Sequence, residues 1–318
     1  MLKRYDFARE DIPGQAWLAR FRDGFPEAQA WYLGGSSRPT VSACRTAIAR
    51  HMPELLDAYD RACAMVGEDD LARCILSHYR PAGPIGGCSQ AIWFSEGGPA
   101  LVRNYDYPLD LVTGRFEMTR WSGRRVIAKA QRPWGGCIDG MNEDGLVASL
   151  TFGGRAARGE GFSVILMLRY VLETCTRVED AARTLCRIPI ATVQNVMLLD
   201  RTGAHATLHL GPDREPAVTQ ARVCTNHQES PGAVADSMLR HDVLAAALEQ
   251  PGQTMEGLAA LFLEAPLLSR SAASTTAYTA IYRPAEGTVD YLWPGETRRQ
   301  SFDAFREGSY THDYGALA

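Results

Sequence analysis

The sequence predicts an α+β protein in which antiparallel sheets dominate and a helical segment comes first. From residue 88 onward, strand-like runs, two helices, more strand-like runs, two further helices and a closing hairpin follow one another. This order is typical of a layered α+β domain. Before residue 88, a helical pattern ends in the turn-rich run 81–87, the strongest change of composition in the chain.

The composition excludes several classes of function. The 318 residues suffice to bury a full core, and 46% hydrophobic with 22% charged residues is ordinary for a soluble protein. A net charge of -4 without a Lys/Arg cluster offers no surface for nucleic acid or an anionic membrane. No apolar run is long enough to span a membrane and no signal peptide begins the chain, so we expect a cytoplasmic location.

The cysteines and histidines favour no cofactor. The eight cysteines are scattered and form no CxxC pair, which argues against a zinc site or a disulfide scaffold. His205 and His209 share one face of a predicted strand but lack a third ligand. We therefore expect neither a metal nor a redox cofactor.

The elements are read from spacing and turn residues. Residues 1–87 are predicted to be mainly helical, with helices near 41–65 and 71–78. The predicted strands cover 90–95, 99–105, 115–121, 124–130, 146–152, 193–199, 205–210 and 217–225. The later helices cover 163–175, 176–188, 236–249 and 254–264, and residues 276–282 and 288–293 form the hairpin.

The junction Gly87-Cys88-Ser89 offers the chemistry. If the chain were cut before Cys88, one residue would carry both a thiol with a pKa of about 8.5 and an α-amine with a pKa of about 8. The amine could then act as the base. Gly87 lets the preceding peptide adopt a strained geometry, so the Cys88 thiol could attack its carbonyl and release residues 1–87 from 88–318. From these residues alone, a buried structural cysteine after a loop is the alternative.

Five segments then carry a resemblance to a known family. They occur in one order along the chain: Gly87-Cys88-Ser89, Arg103-Asn104-Tyr105-Asp106, Gly140 to Leu146, Val223 to His227, and Asp236 to His241. The chain resembles the acyl-CoA:6-aminopenicillanate acyltransferase family of N-terminal-nucleophile (Ntn) hydrolases and, more distantly, bile salt hydrolase and penicillin V acylase. The resemblance implies an αββα four-layer sandwich. It also implies a self-cleaved chain whose fragments, 1–87 and 88–318, stay associated as a heterodimer.

The resemblance also implies the principal roles at the site. Cys88 is the expected nucleophile, and Asp106 would hold its amine or thiol by a charge-assisted hydrogen bond. Arg103 would lower the thiol pKa or orient the thiol. Asn226 would donate its amide to the oxyanion of the tetrahedral intermediate.

Further residues are candidates for supporting roles. Thr151 stands where relatives often carry asparagine or tyrosine, and a backbone N–H of Thr151 or Phe152 could be a second oxyanion donor. Asn142, in the matched turn, is a candidate support. Arg240 would support the site or bind an acidic group of the substrate.

The expected reaction is hydrolysis of a linear amide of an N-acyl small molecule through a Cys88 thioester. Transfer from a thioester donor such as acyl-CoA to an amine is the alternative. Two other readings stay open: a papain-like enzyme with His227 as base, and an uncleaved binding protein. Four aromatic residues near the expected pocket suit an apolar acyl group or the core: Tyr105, Tyr107, Trp121 and Trp134. The number of copies in the assembly is left open, and a homo-oligomer is compatible with the sequence.

Overall fold

The computed structural model describes residues 1–34, 38–81, 87–131, 135–228 and 235–317. Most of the predicted linker and Trp134 lie outside these residues. Within them, none of the helices combines the length and the apolar character that crossing a membrane requires.

Nine strands form the first sheet, in the order β10-β9-β8-β7-β6-β5-β4-β1-β16. Every neighbouring pair is antiparallel except β1 and β4, which run parallel. The bounds are β1 (Leu2–Arg9), β4 (Arg115–Thr119), β5 (Val126–Gln131), β6 (Gly136–Asn142), β7 (Val147–Phe152), β8 (Gln194–Leu199), β9 (His205–Leu210), β10 (Ala217–Thr219) and β16 (Gly308–Asp313).

The second sheet has the strand order β11-β2-β3-β13-β14-β15, and the short β12 pairs with β13. All of its pairs are antiparallel. The bounds are β2 (Gly87–Ser95), β3 (Gly98–Tyr107), β11 (Val223–Cys224), β12 (Arg270–Ser271), β13 (Ser274–Arg283), β14 (Thr288–Trp293) and β15 (Glu296–Ser301).

The helices fall into an N-terminal group and two later pairs. The group contains α1 (Gln15–Leu33), α2 (Val41–His51), α3 (Leu56–Val66) and α4 (Asp70–Leu76), with a 3-10 turn at Pro53–Leu55. The pairs are α5 (Val164–Thr174) with α6 (Val178–Arg187), and α7 (Ala235–Glu249) with α8 (Met255–Phe262).

Four layers result, as predicted. Helix α5 lies so close to the first sheet that a Cβ on Gly136 would stand 2.5 Å from Cδ1 of Ile165, which is why this position takes glycine. Helices α7 and α8 cover the second sheet through a separate apolar cluster that includes Leu244 and Phe262. The two sheets face each other, and Phe116 of one packs against Tyr291 of the other with ring centroids 4.1 Å apart and the ring planes tilted by 39°.

The N-terminal segment differs from the prediction at its start. Residues 2–9 form strand β1, which lies between β4 and β16 in the first sheet, whereas α1 to α4 follow the expected helical pattern. The buried Tyr5 and Phe7 alternate with the more exposed Arg4 and Asp6, which is the period of a half-buried strand. Tyr5 also donates a 2.8 Å hydrogen bond to the carbonyl of Ala277 in β13, so β1 contacts both sheets.

Other differences come from long-range pairing. Strands β6, β15 and β16 were not predicted, and the single strand predicted over 217–225 is two strands in different sheets. Strand β10 pairs with β9, whereas β11 pairs with β2. This segment therefore carries the chain from one sheet to the other, which a local period of two residues does not reveal.

We predict that Tyr5→Ala destabilises the protein strongly. The substitution removes a buried ring that contacts Phe116 and Trp293, together with one hydrogen bond, so the free energy of unfolding should fall by about 3–5 kcal/mol. Urea unfolding of the Cys88→Ala chain, followed by tryptophan fluorescence, measures this change. Arg4→Ala is the matched control on the exposed face and should change stability by about 1 kcal/mol or less. Equal effects of the two substitutions would show that β1 is not a packed part of the sheet.

Candidate active site

Cys88 is the second residue of β2 and is fully buried. The antiparallel register places it opposite Tyr105 of β3, and places Gln90 opposite Arg103. Arg103 therefore reaches Cys88 diagonally across the pair. Its Nη2 donates to the Cys88 Sγ at 2.5 Å, so the structure brings the predicted nucleophile and the predicted arginine into direct contact.

Arg103 is itself fully buried and faces a carboxylate. Its Nη1 donates to Oδ2 of Asp139 in β6 at 2.6 Å. Burial acts to lower the pKa of Arg103, but the neighbouring Cys88 and Asp139 outweigh it, so the net pKa is raised. The guanidinium stays charged between the thiol and the carboxylate.

Groups around Cys88 shift the pKa of its thiol in opposite directions. Burial raises the pKa to about 12, and Arg103 acts in the opposite direction by favouring the thiolate. Asp106 raises the pKa through its charge, while its backbone N–H lowers it. In the continuous chain the thiol is therefore protonated at neutral pH, and a nucleophilic step requires a base that removes its proton.

Asn226 holds the backbone of Cys88. Its Oδ1 accepts the Cys88 N–H at 2.9 Å, and its side chain is only half-buried. Because Oδ1 of Asn226 binds the Cys88 N–H, the NH₂ group of the same amide is not used in this contact. This NH₂ group is a suitable donor to an oxyanion that forms next to the sulfur.

Thr151 and Asn195 fix the segment that carries Asn226. Thr151 Oγ1 donates to the carbonyl of Thr225 at 2.9 Å. The Nδ2 of Asn195 lies within hydrogen-bond distance of the Thr225 and His227 carbonyls, at 3.1 and 3.0 Å, on either side of Asn226. Thr151 therefore acts on the site through this loop. Asn195 was not predicted, although a buried amide in an apolar strand is a signal that could have found it.

Phe152, the other candidate for the second oxyanion donor, is the last residue of β7. Its carbonyl accepts a 3.2 Å hydrogen bond from Asn195 Nδ2, so its backbone belongs to the same network as Thr151. The role of its N–H toward an oxyanion stays a prediction.

Asp106 lies beside the Gly87–Cys88 junction, because the β2–β3 register places it directly opposite Gly87. Thr276 donates to its Oδ1 at 2.6 Å, and Arg240 Nη1 stands 3.7 Å from its Oδ2. Burial raises the pKa of Asp106 to about 6, although Arg240 and Thr276 both act to lower it. Its carboxylate is thus ionised at neutral pH and protonated in mild acid.

Arg240 enters the site from α7. Its Nη1 donates to the Cys88 carbonyl at 3.0 Å and also contacts Ser89 Oγ, while its Nε donates to Asp236 at 2.9 Å. The side chain is nearly fully buried. Of its two predicted roles, these contacts favour support of the site over substrate binding.

Asn142 and His227 have structural roles in this arrangement. Asn142 Nδ2 donates to the carbonyls of Leu172 and Cys175, and its Oδ1 accepts the N–H of Leu146, so it ties the β6–β7 turn to the end of α5. These bonds use both polar atoms of its amide, so Asn142 supports the turn, and a role toward the oxyanion stays a prediction. His227 Nδ1 faces Ser237 Oγ at 2.8 Å.

Of the four aromatic residues predicted near the pocket, Tyr105 belongs to the core, Tyr107 and Trp121 pack against that core while partly exposed, and Trp134 lies outside the described residues. Tyr105 is fully buried and stacks on Tyr107 with centroids 5.8 Å apart. Trp121 is half-buried and packs over the guanidinium of Arg169.

Sequence reasoning also missed the residues that hold Arg103 and Asp106. Asp139 stands in the apolar run 137–141, and a charged residue in such a run signals a buried pair. Tyr278, Tyr282 and Thr276 come from β13, and no local pattern links them to the site.

Two facing antiparallel sheets between helical layers, with a Gly-Cys junction heading an inner strand, define the Ntn-hydrolase fold. A model of the acyl-coenzyme A:6-aminopenicillanic acid acyl-transferase family matches residues 93–298. This is well over half of the chain, and the chain belongs to this family of acyl-transfer enzymes. The resemblance found in the motifs is thereby confirmed.

The chain is also similar to solved structures of low sequence identity. They include penicillin V acylase from Agrobacterium tumefaciens, at 16% identity and a TM-score of 0.49 over 68% of this chain and 86% of that one. A variant of the conjugated bile acid hydrolase from Clostridium perfringens is 13% identical, with a TM-score of 0.47 over 71% of this chain and 97% of that one. The Caenorhabditis elegans ortholog of N-acylethanolamine-hydrolyzing acid amidase is also 13% identical, with a TM-score of 0.49 over 71% of this chain and 100% of that one. No curated protein matches the sequence.

We predict that Asp106→Asn changes how stability depends on pH. The folded-state pKa of Asp106 is raised from 3.8 to about 6, so its contribution to stability is present below pH 4 and is lost as pH rises through 6. The free energy of unfolding of the variant, measured relative to that of wild type, should therefore be higher at pH 7 than at pH 4 by on the order of 2–3 kcal/mol. Urea unfolding of the Cys88→Ala chain at both pH values measures this. The exposed Asp110→Asn should show no such gain, and a pH-independent effect of Asp106→Asn would contradict the assignment.

Proposed function

We propose that the chain is a self-processing cysteine amidohydrolase that cleaves the linear C–N amide of an N-acyl small molecule through a Cys88 thioester. One observation carries the proposal. At a Gly-Cys junction, Arg103 contacts the Cys88 thiol at 2.5 Å while Asn226 contacts the Cys88 N–H at 2.9 Å. The arginine can favour the thiolate of a nucleophilic cysteine, and the asparagine keeps its NH₂ group available for an oxyanion beside the sulfur.

In the proposed processing step, the Cys88 sulfur attacks the carbonyl carbon of Gly87. The S–C bond forms, the peptide C–N bond breaks, and the thiol proton passes to the nitrogen that becomes the α-amine. Water then hydrolyses the thioester, which leaves the Gly87 carboxylate and a free Cys88 thiol. Asp106, opposite Gly87, and Arg240, on the Cys88 carbonyl, hold the junction during these steps.

In the proposed catalytic cycle, the freed α-amine is the base, in the place that His227 would take in a papain-like enzyme. It takes the thiol proton, the thiolate attacks the substrate carbonyl, and Asn226 donates to the oxyanion. The amine then protonates the leaving nitrogen, and water resolves the thioester. This cycle requires no metal or redox cofactor.

The second candidate is N-acyl transfer, and the family itself favours it. The matching family is described by transfer from an acyl-coenzyme A to the amine of 6-aminopenicillanic acid. In that case acyl-CoA is a donor substrate, and an amine takes the place of water at the thioester. Both reactions share the Cys88 acyl-enzyme, so they differ only in the acceptor. The uncleaved binding protein is the non-enzymatic alternative.

Mass spectrometry of the purified chain is the first test. Wild type should give two fragments that meet at Gly87 and Cys88, and Cys88→Ala should give only the full-length chain. Cys137→Ala is the matched control, because Cys137 also follows two glycines and is buried, and it should cleave like wild type. An intact wild-type chain would refute self-processing.

Size-exclusion chromatography of the same sample tests the association of the fragments. The two fragments should co-elute, because β1 of the first lies between β4 and β16 of the second.

The second test measures turnover of N-acyl amides, with and without an added amine acceptor. Asn226→Ala should reduce kcat by about 10²–10³, as expected for the loss of one oxyanion donor, when the rate is referred to the cleaved fraction. The exposed amide of Gln250 gives the control Gln250→Ala, which should retain full activity. Amide product only in the presence of an acyl thioester and an amine would identify the transferase. Full ligand binding by Cys88→Ala with no turnover in wild type would identify a binding protein.

A further inference from the structure

Asp139 is a buried carboxylate that reaches the candidate nucleophile through one arginine. It lies in β6, is fully buried, and accepts from Arg103 Nη1 at 2.6 Å. The other terminal nitrogen of the same guanidinium contacts the Cys88 sulfur at 2.5 Å. Because a guanidinium is planar and rigid, fixing one nitrogen fixes the direction of the other.

Two phenols hold the carboxylate in place. The hydroxyl of Tyr278 donates to Oδ2 of Asp139, and the hydroxyl of Tyr282 donates to Oδ1. Both tyrosines are fully buried and belong to β13. Asp139 thus accepts three hydrogen bonds, one from β3 and two from β13, and these donors of the opposite sheet fix the orientation of its carboxylate.

The remaining contacts of Arg103 are weaker. Its terminal nitrogens lie 3.2 Å from the carbonyl of Asn104 and 3.4 Å from that of Ile138. Asp139 is the only carboxylate with which it forms an ion pair among the residues that the structure describes. A buried guanidinium without a counter-charge is strongly disfavoured, so Arg103 depends on Asp139 to remain at the thiol.

We propose that Asp139 is a positioning residue, whose carboxylate fixes the Arg103 guanidinium against the Cys88 sulfur and thereby controls the reactivity of the thiol. The inference deepens the function proposed above and rests on it only in taking Cys88 as the reacting group. It adds a residue of the first sheet to a site whose other side chains come mostly from the second.

Two effects of Asp139 on the thiol have opposite signs, which makes the role testable. As a negative charge, Asp139 disfavours the thiolate and raises the pKa of Cys88. As a support for Arg103, it favours the thiolate, and the effect of the arginine on the Cys88 pKa is the larger of the two. The other charged groups around this network are Asp106 on β3, Arg240 of α7, which donates to the Cys88 carbonyl, and Lys129, which lies opposite Asp139 across β5 and β6. None of these three residues is substituted in the test. The charge of Asp139 acts to raise the pKa of Lys129, so Asp139→Asn also disfavours the protonated form of this lysine, and the double-mutant cycle below separates that effect from the one exerted through Arg103.

The test is the pH dependence of Cys88 alkylation by iodoacetamide, read at that cysteine by peptide mass mapping. Asp139→Asn should shift the midpoint upward by about one pH unit, which slows alkylation about tenfold below the midpoint. The matched control is Asp290→Asn, which removes another buried carboxylate, held by Arg283 and Arg299, and should leave the midpoint unchanged. A downward shift in Asp139→Asn would mean that Asp139 acts only as a charge, and no shift would mean a structural role. Either result overturns the proposal.

A double-mutant cycle tests whether Asp139 acts through Arg103. Arg103→Gln should raise the midpoint by itself, and adding Asp139→Asn should then produce no further upward shift, because only the charge of Asp139, which acts in the opposite direction, is left to remove. A further upward shift of the same size would overturn the proposal.

A second variant guards against misfolding of Asp139→Asn. Tyr278→Phe with Tyr282→Phe keeps both charges and loosens the carboxylate, so it should shift the midpoint upward by a smaller amount. An unchanged midpoint in this folded variant would overturn the proposal. The intact mass of every sample reports cleavage separately. An uncleaved chain with the expected shifts would refute self-processing and retain the role of Asp139.

Discussion

The buried ion pair between Arg103 and Asp139 is the interaction on which the site depends. Two charges are removed from water between the sheets, and such a pair is tolerated only when its geometry is good and its remaining hydrogen-bonding capacity is used. Here Cys88, Tyr278 and Tyr282 take up most of this capacity, and the buried Nε of Arg103 is left without a hydrogen-bond partner among the described residues. The pair therefore requires β3, β6 and β13 to be in the correct register at once, and this requirement links the alignment of the two sheets to the placement of the thiol.

Cys88 is held from three directions by groups of different origin. The thiol faces the space between the sheets and meets Arg103, the N–H meets Asn226 after β11, and the carbonyl meets Arg240 of α7. Each group restrains one part of the residue, so the sulfur, the backbone nitrogen and the carbonyl of Cys88 have defined positions relative to one another. Preorganisation of this kind is what brings reacting atoms close enough for efficient attack.

Those parts of the site whose residues lie close together in the sequence could be predicted. Cys88, Arg103 and Asp106 lie on one hairpin, and a two-residue period with a tight turn brings them together. The family resemblance added Asn226 and Arg240. The partner of Arg103 lies 36 residues further along the chain on the other sheet, and no local rule specifies which strand of one sheet faces which strand of the other.

The same limit applies outside the hairpin. Asn142 belongs to a matched motif, but the partners of its amide at the end of α5 are revealed only by the packed helix. Strand β1 has a clear alternation, but its partners, β4 and β16, stand more than 100 residues away. A short strand without a hairpin partner nearby is difficult to distinguish from a loop that precedes a helix.

The position of β1 has a consequence for any fragment of the chain that lacks it. If residues 88–318 were made without β1, strand β4 would present an unpaired edge and β16 would lose the one strand it pairs with among the described residues. Unpaired edges of this kind favour intermolecular strand pairing and aggregation. Strand β1 therefore completes the first sheet, and we expect a recombinant fragment that begins at residue 88 to aggregate more readily than the full-length chain.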